Sequence, residues 1–278
     1  MEKVLKKGGS KLLEGKILAA LFYEPSTRTR LSFEAAMNRL GGSVISAEGI
    51  QFSSLYKGET IEDTMMMVGG YADIIAMRHP EQGSADTAAS AAPVPFINAG
   101  DGPGQHPSQA LLDLYTIEKE CKTIDGLHIT MVGDLRYGRT VHSLCYLLGL
   151  YKNIRFTFVS PAELTMPEKV TSFLKEKNIP YAETDDLAAA IAESDVVYMT
   201  RVQKERFADV AQYERLKLKY VLTADMIRGK KAVVMHPLPR VGEITTDVDL
   251  LHNAAYFRQA QNGVPVRMAL LAMLLGKA

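Results

Sequence analysis

Six short stretches combine anion-binding side chains with places where an apolar run gives way to a helical pattern. The first is Glu24-Pro25-Ser26-Thr27-Arg28-Thr29-Arg30. A helix opening there offers backbone N–H groups and the positive end of its dipole. The hydroxyls of Ser26, Thr27 and Thr29 and the Arg28 fork would complete a phosphate cradle. The Walker glycines and lysine are missing, so a nucleotide triphosphate is not implied. Taken alone, S-T-R-T describes an ordinary helix cap equally well.

Met77-Arg78-His79-Pro80 closes a second apolar run, and ligands of open α/β sheets gather beyond the carboxyl ends of strands. Gly100-Asp101-Gly102 and His106-Pro107-Ser108-Gln109 again stand between strand and helix, which brings His106 and Gln109 near a helix N-terminus. A lone strand-end arginine is commonly solvated and a lone histidine commonly structural; a layout repeated three times argues against both. Later, Val132-Gly133-Asp134-Leu135-Arg136-Tyr137-Gly138-Arg139-Thr140 follows a strand with two arginines where G-x-G-x-x-G would place glycines, which weighs against a dinucleotide fold. Thr200-Arg201-Val202-Gln203-Lys204-Glu205-Arg206 and His236-Pro237-Leu238-Pro239-Arg240 follow two further strands. Arg28, Arg78, Arg139 and Arg201 are thereby gathered for several anionic groups at once.

The elements that must hold these stretches alternate almost throughout. Strands are predicted at 16–23, 43–47, 73–79, 94–100, 127–134, 155–160, 195–200 and 232–239, with helices at 27–40, 58–72, 107–120, 139–150, 167–177 and 266–276. In the helix 27–40, Phe33, Met37 and Leu40 share one face, and Gly41-Gly42 stops it. Repeated βαβ units imply α/β architecture: two doubly wound parallel-sheet domains, with the active site in the cleft between them. A break is expected at the polar stretch 120–126. It gives a first domain over 1–122 and a second over 123–263, with the C-terminal helix 264–278 packing back on the first. Met65-Met66-Met67 reads as core filling on a helix.

Composition bounds the rest. A chain of 278 residues suits two domains. Lys+Arg and Asp+Glu balance at 32 each, so there is no electrostatic reason to expect a nucleic-acid or membrane partner. Cys121 and Cys145, the two cysteines, form no CxxC pair and read as core thiols of a reducing cytoplasm. No ligand set suggests a metal. The basic start lacks the apolar centre of a signal peptide, and the apolar run 268–275 is far short of the ~20 residues that span a bilayer. The chain is expected to be soluble and cytoplasmic.

The six stretches, in order and over nearly the whole length, resemble the aspartate branch of the transcarbamoylase family. S-T-R-T-R and H-P-x-Q mark the family in general. Ser53-Ser54-Leu55-Tyr56-Lys57-Gly58-Glu59, T-R-V-Q-K-E-R and H-P-L-P-R mark the aspartate branch, and Pro237 stands where an ornithine enzyme is expected to carry cysteine. The resemblance implies transfer of the carbamoyl group of carbamoyl phosphate to L-aspartate, on the route to pyrimidines, without cofactor or metal. It assigns Ser26, Thr27, Arg28, Thr29 and Arg78 to the phosphate, and Thr29, Arg78 and His106 to the carbonyl oxygen. Gln109 and the backbone around Leu238 and Pro239 take the carbamoyl amide. Arg139, Arg201 and Gln203 take the aspartate carboxylates. Ser53 and Lys57 would reach a neighbouring chain of a homotrimer with shared active sites, and Glu24 would bind Arg139 and Arg206 on domain closure. The resemblance also admits regulatory chains or a larger multifunctional assembly as partners.

Two departures accompany it. Only MEKVLKKGGSKLLEG precedes the first strand, where the resemblance implies a helix that covers the C-terminal one. Arg136 stands where many relatives have lysine, a cation of different geometry. The rival readings are a carbamoyltransferase with another amine acceptor, such as ornithine, and a relative that binds without catalysing.

Overall fold

The structure, a computed structural model, describes residues 1–50, 54–207 and 209–277. The chain divides into two compact units, Met1–Ser108 with Asn262–Ala278, and Gln109–Gln261. The sequence-based boundary lay after the long helix that ends near residue 120; by compactness the division falls near that helix's start, and again within the last helix.

Unit 1 runs α1 (Glu2–Lys6), β1 (Ile17–Phe22), α2 (Thr27–Arg39), β2 (Ser43–Glu48), α3 (Ile61–Gly69), β3 (Ile74–His79), α4 (Ser84–Ala91), β4 (Phe96–Asp101) and the start of α5 (Pro107–Cys121). All four strands are parallel, in the order β2-β1-β3-β4. Strand β1 is apolar at every position because both faces are covered. Leu18, Ala20 and Phe22 join Phe33 and Met37 of α2 in one core, whereas Ala19 and Leu21 join Met65 and Val68 of α3 in the other. Alternation along the strand sends neighbouring residues to opposite faces.

Unit 2 continues with β5 (His128–Val132), α6 (Arg139–Leu148), β6 (Arg155–Val159), α7 (Glu168–Glu176), β7 (Tyr181–Thr184), α8 (Leu187–Glu193), β8 (Val196–Met199), α9 (Val210–Leu216), α10 (Ala224–Ile227), β9 (Val233–Met235) and the start of α11 (Tyr256–Leu274). Its five strands are parallel, in the order β7-β6-β5-β8-β9. Two parallel-sheet α/β domains are therefore what the sequence folds into.

Several elements differ from expectation. β7, α8, α9 and α10 were not anticipated, being short and, in β7, largely solvated. α11 starts at Tyr256 rather than near 266. Pro265 reads as a start signal, since proline lacks the interior N–H, but the helix runs through it. Of the three consecutive methionines only Met65 is core; Met66 and Met67 are exposed, because consecutive helical positions cannot share one face. A short helix, α1, does stand ahead of β1, and Met1, Val4 and Leu5 pack on the cluster that contains Met268 and Leu271 of α11. Among the described residues no helix is long and apolar enough to cross a membrane.

Candidate active site

In unit 1, β1 has β2 on one side and β3 on the other, so chain direction through the sheet reverses between β1 and β3. Such switch points are where open α/β sheets bind ligands. Phe22 lies beside Arg78, which brings the segment after β1 against the end of β3. Ser26 caps α2 and its hydroxyl makes no bond to the helix it opens. Thr27 and Arg28 are exposed, and Thr29 is buried. Backbone N–H groups, three hydroxyls and a guanidinium thus share the first turn of one helix.

Arg78 is held by Glu24, whose Oε2 accepts from Nε and Nη2, both at 2.8 Å. Gly100, at φ 137°, lets the Arg78 side chain lie against β4; a Cβ there would stand 3.3 Å from its Cγ. Beyond β4, a turn closed by the Gly104 N–H on Asp101 O, at 2.7 Å, delivers buried His106 to the start of α5. Asp101 braces this corner by accepting from Gly83 N, Ser84 Oγ and Ala85 N. His79, against the Tyr23 ring, has its pKa lowered by burial, with Glu81, Asp101 and Glu24 opposing. Lys57 is exposed on a 3-10 turn, Ser54–Lys57, after β2; Ser53 lies outside the described residues.

In unit 2 the corresponding reversal lies between β5 and β8. Gly133, at φ 110°, passes so close to β8 that a Cβ would stand 2.3 Å from Thr200 O, so only glycine fits. Asp134 is wholly buried and ties the two loops together: Oδ1 accepts from Tyr137 N at 2.9 Å and Oδ2 from Gln203 N at 3.3 Å. Burial pushes its pKa up, against the lowering by those N–H groups, the Gln203 side chain and the Arg201 charge. Half-buried Arg139 opens α6. Arg201 lines an open pocket with Val202, Tyr213, Lys217, Leu218, Val241 and Glu243. Arg206 is half-buried, and Arg136 is exposed over the Tyr137 ring.

After β9, Leu238 adopts φ 56° ahead of a cis Leu238-Pro239 bond. Its N–H donates to His236 Nδ1 at 2.7 Å, so the ring proton lies on Nε2, which donates to Glu243 Oε1 at 2.6 Å. Burial, with Arg201 and Arg240 nearby, holds the pKa of His236 below its ordinary value despite Glu243. Arg240, by contrast, is bound to Asp249 and the Tyr256 hydroxyl, a structural role. Burial raises both thiols, that of Cys121 to about 11.

The structure thus brings Glu24, Ser26, Thr27, Arg28, Thr29, Arg78 and His106 to neighbouring strand ends of unit 1. It brings Gln109, Arg139, Arg201, Gln203, Arg206, Leu238 and Pro239 to unit 2. Sequence reasoning assigned no role to the carboxylates that hold these groups: Asp101 and Asp134, which lie within two of the six stretches, Glu243, and Asp113, whose Oδ1 accepts from Gln109 Nε2. Asp101 and Asp134 each directly follow a strand's last apolar residues beside a glycine, a usable signal; Asp113 and Glu243 carry none.

Residues 1–119 match the family model described as aspartate/ornithine carbamoyltransferase, carbamoyl-P binding domain, and residues 125–274 that of the Asp/Orn binding domain. The chain belongs to the aspartate/ornithine carbamoyltransferase family. Within this carbamoyltransferase family, it is 54% identical to the aspartate carbamoyltransferase catalytic subunit of Methanocaldococcus jannaschii, over 99% of this chain and 90% of that one. It is also 54% identical to the chloroplastic aspartate carbamoyltransferase of Oryza sativa, over 96% of this chain and 75% of that one. A solved structure of the M. jannaschii catalytic subunit superposes with a TM-score of 0.92 at 52% identity, covering 100% of this chain and 92% of that one. The Trypanosoma cruzi aspartate transcarbamoylase in complex with carbamoyl phosphate gives 0.90 at 42%, covering 97% and 88%.

Proposed function

We propose that this carbamoyltransferase joins carbamoyl phosphate to the amino group of L-aspartate, giving N-carbamoyl-L-aspartate and phosphate for pyrimidine biosynthesis in the cytoplasm. The observation that carries the reading is the pair of switch points, each holding the anion-binding residues that the family resemblance implies. Ser26, Thr27, Arg28 and Thr29 hold the phosphate on the first turn of α2, with Arg78 beside them. Thr29, Arg78 and His106 are the donors for the carbonyl oxygen, and Gln109 with the Leu238–Pro239 backbone takes the carbamoyl amide. Arg139, Arg201 and Gln203 take the two aspartate carboxylates.

The aspartate nitrogen, once deprotonated, attacks the carbonyl carbon directly, so no side-chain nucleophile is needed. The oxygen becomes an oxyanion; collapse breaks the bond to the phosphate oxygen, and the departing phosphate takes the amine proton. Donors aimed at the oxyanion stabilise that transition state, each worth about 2.7–4 kcal/mol. A ureido-product assay with a panel of amines tests the reading. Product is expected with aspartate and not with ornithine; product with ornithine alone would overturn it.

The assembly is proposed to be a homotrimer in which Ser53 and Lys57 serve a neighbouring chain, a reading that the exposure of Lys57 supports. Arg28→Ala and Lys57→Ala chains, unfolded together in equal amounts and refolded, should regain about a quarter of wild-type activity, by counting interfaces in a closed three-fold ring. No recovery in well-formed trimers would mean that Lys57 does not serve a neighbour.

A further inference from the structure

Asp113 lies on α5 one turn beyond Gln109 and is wholly buried. Its Oδ1 accepts from Gln109 Nε2 at 2.8 Å and Gln259 Nε2 at 2.6 Å, and its Oδ2 from the Tyr198 hydroxyl at 2.7 Å. An ionised carboxylate only accepts, so it decides which end of each amide faces it. Gln109 must turn its NH2 to Asp113, which leaves Oε1 as the end it can offer a ligand. Gln259 does the same, and its Oε1 takes the backbone N–H of His236 at 2.9 Å. His236 Nδ1 then engages the N–H of Leu238, so the loop offers a ligand the Leu238 carbonyl. Asp113 therefore sets the polarity of Gln109 directly and, through Gln259, holds the backbone of the loop whose Leu238 carbonyl is an acceptor by nature.

A carbamoyl NH2 has two N–H donors, and two acceptors of fixed orientation match it. We propose that Asp113, acting with Gln259, is the positioning residue that makes the carbamoyl amino group recognisable, by orienting Gln109 as an acceptor and holding in place the 236–239 loop whose backbone carbonyl is the second. An NH2 is thereby selected over a methyl group of similar size. The inference rests on the reading above, in which Gln109 and Leu238 meet the carbamoyl amide. The plainer account of the same contacts is that a buried carboxylate fastens α5, β8 and α11 together. That account predicts lost stability with unchanged ligand choice.

The experiment compares carbamoyl phosphate with acetyl phosphate, which carries CH3 in place of NH2, as the ratio of the inhibition constant of the second to the KM of the first. In Asp113→Asn the new amide can turn its own NH2 to Gln109 and invert it, so the ratio should fall about tenfold or more, as loss of a hydrogen bond with a group left unsatisfied does. Tyr198→Phe removes a donor from the far oxygen of the same carboxylate and should cost stability while leaving the ratio unchanged. Gln259→Met releases only the loop and should lower the ratio by a smaller factor. A folded Asp113→Asn with the wild-type ratio, or a Tyr198→Phe that shifts it equally, overturns the proposal. If Asp113→Asn does not fold, an unchanged ratio in Gln259→Met overturns it instead. A wild-type chain that carbamoylates no amine would sink the functional reading before any variant is compared.

Discussion

The proposed binding groups of unit 1 stand largely on regular elements: Thr27 and Arg28 are exposed on the first turn of α2, Thr29 is buried there, and Arg78 ends β3. Those of unit 2 stand largely on loops, Arg201 and Gln203 after β8 and Leu238 after β9, pinned by carboxylates that are themselves buried. A helix terminus supplies its own rigidity, so its side chains can be spent on the ligand. A loop has no ladder of backbone bonds and borrows rigidity from groups such as Asp134, which bonds Tyr137 N and Gln203 N at once. Substitutions in unit 1 should therefore separate binding from stability, and those in unit 2 should mix the two.

The sharpest case is Arg28→Ala. Its kcat/KM for carbamoyl phosphate should drop by about 10²–10³, as for loss of a transition-state donor. The melting temperature should hardly move, since an exposed change costs within about 0.5 kcal/mol. A large stability loss would erase the contrast. Next, Arg201→Ala should raise the KM for aspartate far more than that for carbamoyl phosphate, by the about 1.5–3 kcal/mol of a charged hydrogen bond. Equal damage to both substrates in steady-state kinetics would defeat the assignment.

Asp134→Ala should do both kinds of harm. Two buried N–H groups lose their acceptor, at about 1–3 kcal/mol in chemical denaturation, and the aspartate KM should rise with it. An unperturbed denaturation midpoint would show that the loops hold themselves. Acid should weaken unit 2 more than unit 1. Burial lowers the pKa values of His79, His142 and His236, and the last two belong to unit 2. A histidine whose folded pKa is depressed takes up its proton first in the unfolded chain, so stability is full above the ordinary value of about 6.5 and declines as pH falls below it. Hydrogen exchange at pH 7.5 and 5.5 should show greater loss of protection over β5, α6 and β9 than over β1 and β3. The smallest effect belongs to Met66→Lys, within about 0.5 kcal/mol of wild type because the position is exposed. Met65→Lys, buried at the adjacent position, is its counterpart.

What the sequence made legible follows the same division. The strands β1, β3, β5 and β8 are buried on both faces, so their apolar runs announce them and the polar stretches that follow announce the binding loops. β7 escaped notice because it is an edge strand, Tyr181–Thr184, paired with β6 alone among the described residues and little buried. Asp113 was invisible as a positioning group because its partners Tyr198 and Gln259 lie 85 and 146 residues away, beyond any local pattern. His106 and Gln109 sit in one readable motif, yet compactness assigns them to different units, since the division falls inside α5 where no polar break marks it.

Unit 2 is a single uninterrupted stretch, but the core of unit 1 contains Met268 and Leu271 beside Leu18 and Phe33. During synthesis, therefore, the unit that begins first is completed last. β1 to β4 can form their local contacts as they emerge, but one face keeps apolar surface uncovered until α11 arrives, after all of unit 2 has been made. Closing so long a loop is slow, and exposed apolar surface invites aggregation in the meantime. Unit 2 meets no such delay, so it should reach its native form first, and nascent chains halted short of α11 should depend on chaperones chiefly through unit 1.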